Sequence, residues 1–400
     1  MLPAPRGGPC AGALAWATPP AMQRADVTPS SARELYIGLM SGTSLDGVDA
    51  VLADFTGPRC TVLHHHATPF DAATRAELLA LNTPGSNELH RAALAGNALA
   101  RCYADAVHAL LAHFGLSATS VRAIGAHGQT VRHRPGEFDG TGYTLQINNP
   151  ALLAELTGIS VVADLRSRDV AAGGQGAPLV PAFHQHMFGQ PGQDRLVLNI
   201  GGIANLSVLW ADGSVLGFDC GPGNALMDAW CHIHTGAPFD RDGAWAAGGQ
   251  VLPGLLVLLK DEPFLHQPPP KSTGRDLFNP QWLQERLQRF GPAAPQDVQA
   301  TLTELTAIAC AESTSSYKKE SELLAVCGGG AYNRHLMARL QSLLPGLRVE
   351  TTEAYQLPPL QVEAAAFAWL ARQTLLGLPG NLPKATGARG ARVLGGVYPA

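Results

Sequence analysis

The sequence predicts an α/β protein, and three observations lead to this class. Segments typical of buried strands alternate with segments of helical periodicity along most of the chain. A strand–turn–strand pattern occurs twice, first around residues 42–47 and again around residues 201–205. The 400 residues include 44 glycines and 30 prolines, a composition rich in turns. At about 150 residues per domain, this length predicts two or three domains.

The first half of the chain alternates short strands with helices. The predicted segments are Leu35–Met40, the turn SGTSLDG, the returning strand 48–55, helices over 71–82 and 87–114, VRAIGAHGQT, a helix over 149–158 and the strand ISVVAD. Asp71 is expected to cap the first helix, since its carboxylate can accept a free backbone N–H. The longer helix has apolar residues at helical spacing and ends at Gly115.

The second half restarts the same pattern. The predicted segments are the strand RLVLNI, the turn GGIAN, the returning strand LSVLWA, helices over 224–235 and 297–316, the strand and turn LLAVCGGG, and helices over 331–344 and 361–376. Asn224 is expected to cap its helix, which Gly236 ends. The last helix is expected to be amphipathic.

Composition excludes several classes of protein. Apolar residues make up 46% of the chain and charged residues 15%, so the chain as a whole is not expected to be disordered. The 28 basic and 32 acidic residues give a formal charge of −4, which excludes a strongly basic nucleic-acid binder. No apolar run reaches the roughly 18 residues of a membrane span, so no membrane partner is expected.

The seven cysteines are widely spaced and include no C-x-x-C pair. A disulfide framework or a structural zinc site is therefore not expected, and a reducing cytoplasm is the simplest compartment. Residues 1–33 make a poor secretory signal and are predicted to be a disordered N-terminal extension, with Met22 as an alternative start.

The repeated turns predict a nucleotide site. A hairpin turn of small and hydroxylic residues can present backbone N–H groups to a phosphate. Two such turns, followed by CGGGAYN before a helix, favour a duplicated nucleotide clamp. Three unrelated tight turns are the alternative, since any hairpin favours Gly and Asn. No Gly-Lys dipeptide, G-x-S-x-G or H-E-x-x-H motif occurs, which excludes a P-loop and two hydrolase types.

Nine strings resemble the anhydro-N-acetylmuramic acid kinase family: MSGTSLDGVDA, GAHGQTVRH, TLQI, DLRSRDVAAGGQGAPLVPAFH, NIGGIAN, FDCGPGNALMDAW, PKSTGRDLFN, CGGGAYN and LPGNLPKATGA. The resemblance covers nearly everything from residue 35 to residue 400. It implies the superfamily of sugar kinases, actin and heat-shock ATPases, with two RNase-H-like (actin-like ATPase) domains flanking a nucleotide-binding cleft. The implied domains are 34–165 plus 368–400, and 166–367.

The resemblance also implies a reaction. ATP would phosphorylate the 6-oxygen of 1,6-anhydro-N-acetylmuramic acid while water opens the anhydro ring, giving N-acetylmuramic acid 6-phosphate and ADP in cell-wall (peptidoglycan) recycling. ATP and Mg²⁺ are the implied cofactors, the amino sugar is the small-molecule partner, and a cytoplasmic homodimer is expected. The rival functions are another sugar kinase of the superfamily without ring opening, and an actin- or chaperone-like ATPase.

Asp219 in GFDCGPGN is the predicted catalytic residue, because it resembles the family's catalytic Asp. Hydrolytic ring opening needs a base that takes a proton from the attacking water, and a carboxylate beside a Gly-rich turn can reach into a cleft. The alternative is a helix-entry Asp that caps Gly223 or Asn224.

The resemblance assigns nucleotide binding to three Gly-rich segments. The expected residues are Gly42, Thr43, Ser44, Leu45, Asp46, Gly47, Val48, Asp49, Gly201, Gly202, Asn205, Gly328, Gly329 and Gly330. Asp46 is also the candidate Mg²⁺ ligand through water, because Mg²⁺ prefers a few carboxylates plus phosphate oxygens. An ordinary turn aspartate and tight strand-to-helix packing of the glycine run are the alternatives.

Five residues are candidates for sugar binding by resemblance: His127, Gln129, Arg168, Asp169 and Glu363. An Arg fork can bind the lactyl carboxylate of muramic acid. Without the resemblance, Arg168 would be a surface charge, Glu363 an exposed acid at a helix N-terminus, and His127 a structural histidine.

The run His64-His65-His66 invites a metal interpretation. Successive strand residues point to opposite faces, so only His64 and His66 can share an ion. No third ligand is evident nearby, and the run is interpreted as a feature of an edge strand.

Overall fold

The structure of the chain is a computed structural model that describes residues 33–42, 45–269, 271–274, 277–318 and 321–400. Apart from Arg33, the predicted N-terminal extension lies outside the described residues, as do Thr43 and Ser44. The strands are β1 Leu35–Met40, β2 Gly47–Asp54, β3 Thr61–Pro69, β4 Val121–Ala126, β5 Gln129–Pro135, β6 Gly142–Ile147, β7 Val161–Ala163, β8 Arg195–Ile200, β9 Ile203–Leu209, β10 Val215–Pro222, β11 Leu323–Cys327, β12 Arg348–Thr351 and β13 Gly396–Tyr398.

The helices alternate with these strands, as the α/β prediction requires. They are α1 Ala72–Ala80, α2 Glu88–Phe114, α3 Pro150–Thr157, α4 Ser167–Ala171, α5 Val180–Phe188, α6 Ala225–Thr235, α7 Ala244–Ala247, α8 Pro253–Lys260, α9 Pro263–His266, α10 Pro280–Phe290, α11 Pro295–Ser315, α12 Arg334–Leu343, α13 Val362–Leu375 and α14 Pro383–Thr386.

The two main sheets repeat one strand order. In the first, β3-β2-β1 is an antiparallel meander, and β4 and β7 then add in parallel beside β1; β13 closes the edge against β7. In the second, β10-β9-β8 is the antiparallel meander, and β11 and β12 add in parallel. Three antiparallel strands followed by two parallel ones is the RNase-H-like order, which confirms a duplicated fold.

The apolar core has one part for each sheet and one part between them. One cluster lies under the first sheet and α2, and another lies under the second sheet with α8, α10, α11 and α12. A third cluster takes residues from both sheets, together with α5 and α13. The residues from Arg33 to Ala400 therefore form one contact unit.

Helix α13 packs on the first sheet at backbone distance. A Cβ added to Gly38 on β1 would lie 1.8 Å from the Ala364 carbonyl oxygen, and one added to Gly125 on β4 would lie 2.0 Å from that of Phe367. Residues Ala364 to Ala371 are buried on all sides. The prediction of an amphipathic helix is therefore wrong, because sheet, α5 and second-sheet residues cover it from several directions.

Several predicted helix ends are confirmed. Asp71 accepts a hydrogen bond from the Thr74 N–H at 2.7 Å, although α1 ends at Ala80. Gly115 and Gly236 end their helices in the left-handed conformation. Asn224 precedes α6 but does not cap it.

The amide of Asn224 donates instead to the Ile200 carbonyl at 3.0 Å, because β8 ends beside it. The predicted helix 331–344 begins with a 3₁₀ turn, and its α-helical part starts after Asn333, whose side chain caps it. In the described part of the chain, no helix combines the length and apolarity that a membrane crossing needs.

Candidate active site

The turn between β1 and β2 is held from inside the fold. Leu45 adopts a positive φ of 58°, and its N–H donates to the Gly42 carbonyl at 3.2 Å. Its side chain is buried in an apolar cluster that includes Leu81. At the end of the turn, a Cβ added to Gly47 would lie 2.3 Å from the Thr68 carbonyl oxygen. The path of this turn is therefore fixed at both ends.

Gln129 supports the same turn from β5. It is completely buried, and its Oε1 accepts a hydrogen bond from the Ser41 hydroxyl at 2.8 Å. Its Nε2 donates to the Gly42 carbonyl at 3.2 Å. These contacts give Gln129 a role in shaping the turn.

Asp46 lies at the exposed tip of this turn. Its side chain is 75% exposed, and the nearest cation, Arg75 Nη2, is 3.7 Å away. Among the described residues, no group of three or more His, Cys, Asp or Glu is placed to hold a metal ion. This donor set fits Mg²⁺ that is carried by phosphate oxygens and water, with one carboxylate beside it.

Asp49 follows two residues after the turn, on the face of β2 opposite to the buried Val48. His65 Nε2 lies 2.8 Å from its Oδ1. His64 instead stacks on His113 with ring centroids 3.8 Å apart. The neighbouring histidines therefore do not converge on one ion in the described part of the chain.

The turn between β8 and β9 is held by backbone atoms. The Gly201 carbonyl accepts from the Asn224 N–H at 2.8 Å, and the Gly202 carbonyl accepts from the Gly223 N–H at 3.0 Å. A Cβ added to Gly223 would lie 2.3 Å from the Gly201 carbonyl oxygen. This close approach requires glycine at position 223.

The glycine run 328–330 packs against the end of β8. A Cβ at Gly328, whose φ is 79°, would lie 2.5 Å from Asn199 Oδ1, and one at Gly330 would lie 2.4 Å from Ile200 Cγ2. Gly329 is exposed between them. Steric packing therefore explains why glycine is required at positions 328 and 330. At Gly329, by contrast, the backbone is accessible to a ligand.

A row of polar residues crosses the second sheet. Asp219 on β10 pairs with Asn205 on β9, and Asn205 pairs with Asn199 on β8. Directly opposite residues of an antiparallel pair share a face, so the three side chains lie side by side. A bulge between Asp219 and Gly221 disrupts the ladder beside the carboxylate, a feature common near active sites.

The loop 271–274 holds the Asp219 carboxylate. Thr273 N–H donates to Oδ2 at 2.8 Å and the Ser272 hydroxyl donates to it at 3.0 Å. The pKa of Asp219 is raised to about 6, because the effect of burial exceeds the opposing effects of these hydrogen bonds and of the nearby Lys271. The helix-cap alternative required Asp219 to accept from the N–H of Gly223 or Asn224. Those two N–H groups donate instead to the carbonyls of Gly202 and Gly201, so Asp219 is not a helix cap.

Arg166, rather than Arg168, enters the interior beside His127. Its Nε and Nη2 lie 3.2 and 2.9 Å from His127 Nε2, and its Nη1 donates to the Gly176 carbonyl at 2.8 Å. Since a guanidinium only donates, His127 Nε2 is the acceptor and the ring is neutral. Burial, and after it the charge of Arg166, lowers the pKa of His127 to about 3. Arg168 is exposed.

Asp169 is fully buried and bonded within the fold. Its Oδ2 accepts from the Gly176 N–H at 2.8 Å, and its Oδ1 accepts from Asn381 Nδ2 at 2.6 Å and the Thr386 hydroxyl at 2.8 Å. Asp169 therefore joins the segment after β7 to the C-terminal loops.

Glu363 stands in the first turn of α13 and faces the polar row. Asn199 Nδ2 donates to its Oε1 at 3.5 Å. Burial raises the pKa of Glu363, the charge of Asp49 raises it further, and the charge of Arg166 lowers it. Glu363 is thus partly enclosed, unlike the exposed helix-end acid of the alternative.

Sequence reasoning missed four residues of this arrangement: Asn199, Arg166, Ser272 and Thr273. Asn199 is a polar residue in an otherwise apolar strand, which was a usable signal. Arg166 and Arg168 occur in one string, and nothing local to the string distinguishes them. The contact of the loop 271–274 with Asp219 joins residues more than fifty positions apart, so no spacing rule reaches it.

Known proteins resemble this chain over nearly its whole length. The profile of the family Anhydro-N-acetylmuramic acid kinase matches residues 34–400. The kinase of that name from Variovorax paradoxus (strain S110) is 66% identical over 374 residues, covering 92% of this chain and 100% of the relative. Those from Albidiferax ferrireducens and Cupriavidus pinatubonensis are 62% and 60% identical, covering 92% and 91% of this chain and 100% and 98% of the relatives.

Solved structures are similar at much lower identity. A ROK family glucokinase from Streptomyces griseus, in complex with glucose and AMPPNP, has a TM-score of 0.38 at 14% identity, covering 85% of this chain and 99% of that one. The activator of the 2-hydroxyisocaproyl-CoA dehydratase from Clostridium difficile has a TM-score of 0.41 at 12% identity, covering 84% and 92%. Similarity at this level says nothing about the site.

Proposed function

The chain belongs to the anhydro-N-acetylmuramic acid kinase family, and we propose that Asp219 is the catalytic base of its reaction. The enzyme uses ATP to phosphorylate the 6-oxygen of 1,6-anhydro-N-acetylmuramic acid while water opens the anhydro ring, in the recycling of cell-wall sugars. The observation that carries the proposal is the burial of Asp219, which raises its pKa to about 6. Such a group is ionised at neutral pH and is a stronger base than an exposed carboxylate.

In the proposed reaction, Asp219 accepts a proton from the water whose oxygen attacks the anomeric carbon. The bond between that carbon and the 6-oxygen breaks, and its electron pair stays on the 6-oxygen. This oxygen bonds to the γ-phosphorus as ADP leaves, and Asp219 passes its proton to solvent. Because ring opening itself supplies the electron pair, no separate base is needed for a sugar hydroxyl.

We place the nucleotide phosphates at the two glycine hairpins, Gly42 to Asp49 and Gly201 to Asn205, with Gly329 beside the adenosine. The support is that both hairpins join the first two strands of an RNase-H-like sheet. Mg²⁺ would arrive with ATP, where it neutralises phosphate charge, and Asp46 would orient it through water.

We place the sugar beside Asp219 and Glu363, with His127 in the wall. Gln129 and Asp169 have their polar atoms bonded within the fold, so we assign them to shaping the site. Sugar binding by the exposed Arg168 stays a prediction. The cytoplasmic homodimer and the boundaries of the two domains also stay predictions; light scattering of the purified chain tests the dimer.

Mass spectrometry of the product tests the function. The full chain, incubated with 1,6-anhydro-N-acetylmuramic acid and ATP-Mg, should yield a sugar that has gained both a phosphoryl group and water. A phosphorylated sugar with the ring intact would indicate an ordinary sugar kinase. ATP turnover that leaves the sugar unchanged would indicate an actin- or chaperone-like ATPase.

A further inference from the structure

Asp219 is held through its backbone as well as through its carboxylate. The Lys271 carbonyl accepts a hydrogen bond from the Asp219 N–H at 3.1 Å. The next two residues, Ser272 and Thr273, both donate to Oδ2 of the same side chain, at 3.0 and 2.8 Å. Because these two donors share one oxygen, they fix the orientation of the carboxylate and do not occupy Oδ1. A movement of the loop 271–274 would therefore change both the position of the carboxylate and its hydrogen bonds.

The side chain of Lys271 fastens this loop to α9. Its ammonium donates to the carbonyls of Phe264 and Leu265, each at 3.2 Å. It also lies 4.8 Å from the centroid of the Phe264 ring, whose face attracts a cation. The last carbonyls of a helix have no intrahelical donor, and a lysine side chain near the C-terminus can bond to them. Lys271 therefore links the loop that holds Asp219 to the end of a neighbouring helix.

Helix α9 is itself fixed to α10. Glu262, the residue before α9, is 7% exposed, and its Oε2 accepts from Trp282 Nε1 and Arg286 Nη2 at 2.8 Å each. Both donors belong to α10. The Phe264 ring packs edge-to-face on the buried Phe278, with ring centroids 6.0 Å apart. The carbonyls that accept from the lysine thus belong to a helix that is anchored on the far side of the loop.

A cavity of about 300 Å³ lies beside the Lys271 side chain. Phe218, Lys260 and Tyr317 are among the other residues that line it. Because part of its surroundings is open, packing alone does not hold the half-buried lysine in place. The two hydrogen bonds to α9 therefore determine where this side chain, and with it the loop, is located.

We propose that Lys271 is a positioning residue of the reaction, which fastens the loop 271–274 to α9 and so keeps Ser272 and Thr273 bonded to Oδ2 of Asp219. Oδ1 is then the oxygen that accepts the proton from water. This inference deepens the proposed function and rests on it, since Lys271 acts through the carboxylate of the base.

The test is steady-state kinetics of the full chain across acid, neutral and alkaline pH, with N-acetylmuramic acid 6-phosphate as the measured product. Lys271→Met keeps the length and the apolar stem of the side chain but cannot donate. Lys271→Arg can donate to both carbonyls. The matched control is Lys260→Met, since Lys260 lines the same cavity but bonds to Glu312 at 2.7 Å. Melting curves of every variant accompany the kinetics.

In Lys271→Met, we expect kcat to fall about 10- to 100-fold at unchanged KM for ATP, because a misplaced catalytic group costs rate and not nucleotide binding. This loss should persist at alkaline pH, where the Asp219 carboxylate is ionised in every variant. The acid decrease of kcat/KM should start at a higher pH than in the parent, since the lost charge and the weakened hydrogen bonds both kept the pKa of Asp219 lower. Lys271→Arg should recover most of the rate, and Lys260→Met should match the parent.

A double variant tests whether Lys271 acts through Asp219. Asp219→Asn combined with Lys271→Met should be no slower than Asp219→Asn alone, because residues that serve one step have non-additive effects. If the two losses multiply instead, Lys271 serves another group and the inference is wrong.

Two further results would overturn the inference while the proposed function stands. One is a folded Lys271→Met enzyme with the kcat and the pH profile of the parent. The other is a loss of rate that disappears at alkaline pH, because Lys271 would then act through its charge alone. Near-normal turnover of Asp219→Asn would instead remove the proposed base, and this inference with it. If Lys271→Met is unfolded, Lys271→Gln replaces it, since its amide is one bond too short to reach both carbonyls, and the same loss at alkaline pH is expected.

Discussion

The two sheets share one strand order but fix their hairpin turns by different means. In the first sheet, side chains do this: Leu45 is anchored in an apolar cluster, and Gln129 bonds to residues at the start of the turn. In the second, the backbone carbonyls of Gly201 and Gly202 accept N–H groups from the start of α6. The same topology therefore allows a turn to be stabilised by either route.

The carboxylates also differ in position. The third residue of the second strand is Asp49 in the first sheet and Asn205 in the second. Asp49 is 41% exposed and contacts His65, whereas the second sheet has its acid one strand further, at the largely enclosed Asp219. The shared strand order therefore determines the positions of the two carboxylates. Their different burial determines which of them is suited to proton transfer.

The largest expected effect separates these two acids. Asp219→Asn keeps the size of the side chain but removes the proton acceptor, so kcat should fall by about 10²- to 10⁴-fold with little change in ATP affinity. Asp49→Asn should lower kcat by less than tenfold. ADP release and N-acetylmuramic acid 6-phosphate formation are measured side by side.

A folded Asp219→Asn enzyme with near-normal turnover would show that Asp219 is not the base. If that variant made phosphorylated sugar with the anhydro ring intact, the coupling of water attack to phosphoryl transfer would be wrong instead.

Both hairpins should be equally intolerant of a methyl group at a closely packed glycine, which is Gly47 at the end of the first hairpin and Gly223, after β10, packed against the second. The Cβ of Gly223→Ala, or of Gly47→Ala, would lie 2.3 Å from a carbonyl oxygen. We expect each to lower the free energy of unfolding by about 2 kcal/mol, as overpacking does. Denaturant titration measures this. Gly57→Ala is the control, because its nearest neighbour is 3.7 Å away. If one of the two variants kept the parent's free energy of unfolding, the backbone of that hairpin would be able to shift to make room for the methyl group.

The pH profile should report Asp219. Its pKa of about 6 lies above the ordinary aspartate value of 3.8, so the group becomes protonated, and unable to accept a proton, as the pH falls through 6. We expect kcat/KM to decrease about tenfold per pH unit below that point. The residual activity of Asp219→Asn should lack this decrease. A decrease centred near pH 4 in the parent would mean that Asp219 is solvated during turnover.

The smallest expected effect concerns the support that only the first hairpin receives from Gln129. Gln129→Met keeps the volume but leaves the Ser41 hydroxyl and the Gly42 carbonyl with fewer partners. We expect a loss of about 1 kcal/mol in stability and a several-fold higher KM for ATP at unchanged kcat. Gln146→Met, on the neighbouring strand β6, serves as the control. An unchanged KM for ATP would show that the hydrogen bonds from Gln129 to this turn do not affect phosphate binding.

Local patterns predicted much of this fold. Leu35–Met40 and Arg195–Ile200 have the predicted bounds, because short apolar runs between turn residues leave few alternatives. The environment of α13 was not predictable. Its alanines give no strong pattern, and its burial depends on Gly38 and Gly125, more than two hundred positions earlier.

The site shows the same limit. Asp219 stands out in its own string, but the residues that bond to it come from a distant loop. The choice between Arg166 and Arg168 depends on which of them lies beside His127, and that is a property of the tertiary structure.

The backbone contact between α13 and the first sheet has a mechanical consequence. No side chain lies between Gly38 and the Ala364 carbonyl to absorb a shift, so α13 must travel with the first sheet as one rigid piece, carrying Glu363 at its leading end. Asn199 belongs to the second sheet, and its contact with Glu363 therefore spans the two halves. A rotation of the second sheet away from the first would break this contact and a return would re-form it, so the proposed sugar site would be complete only with the two sheets together.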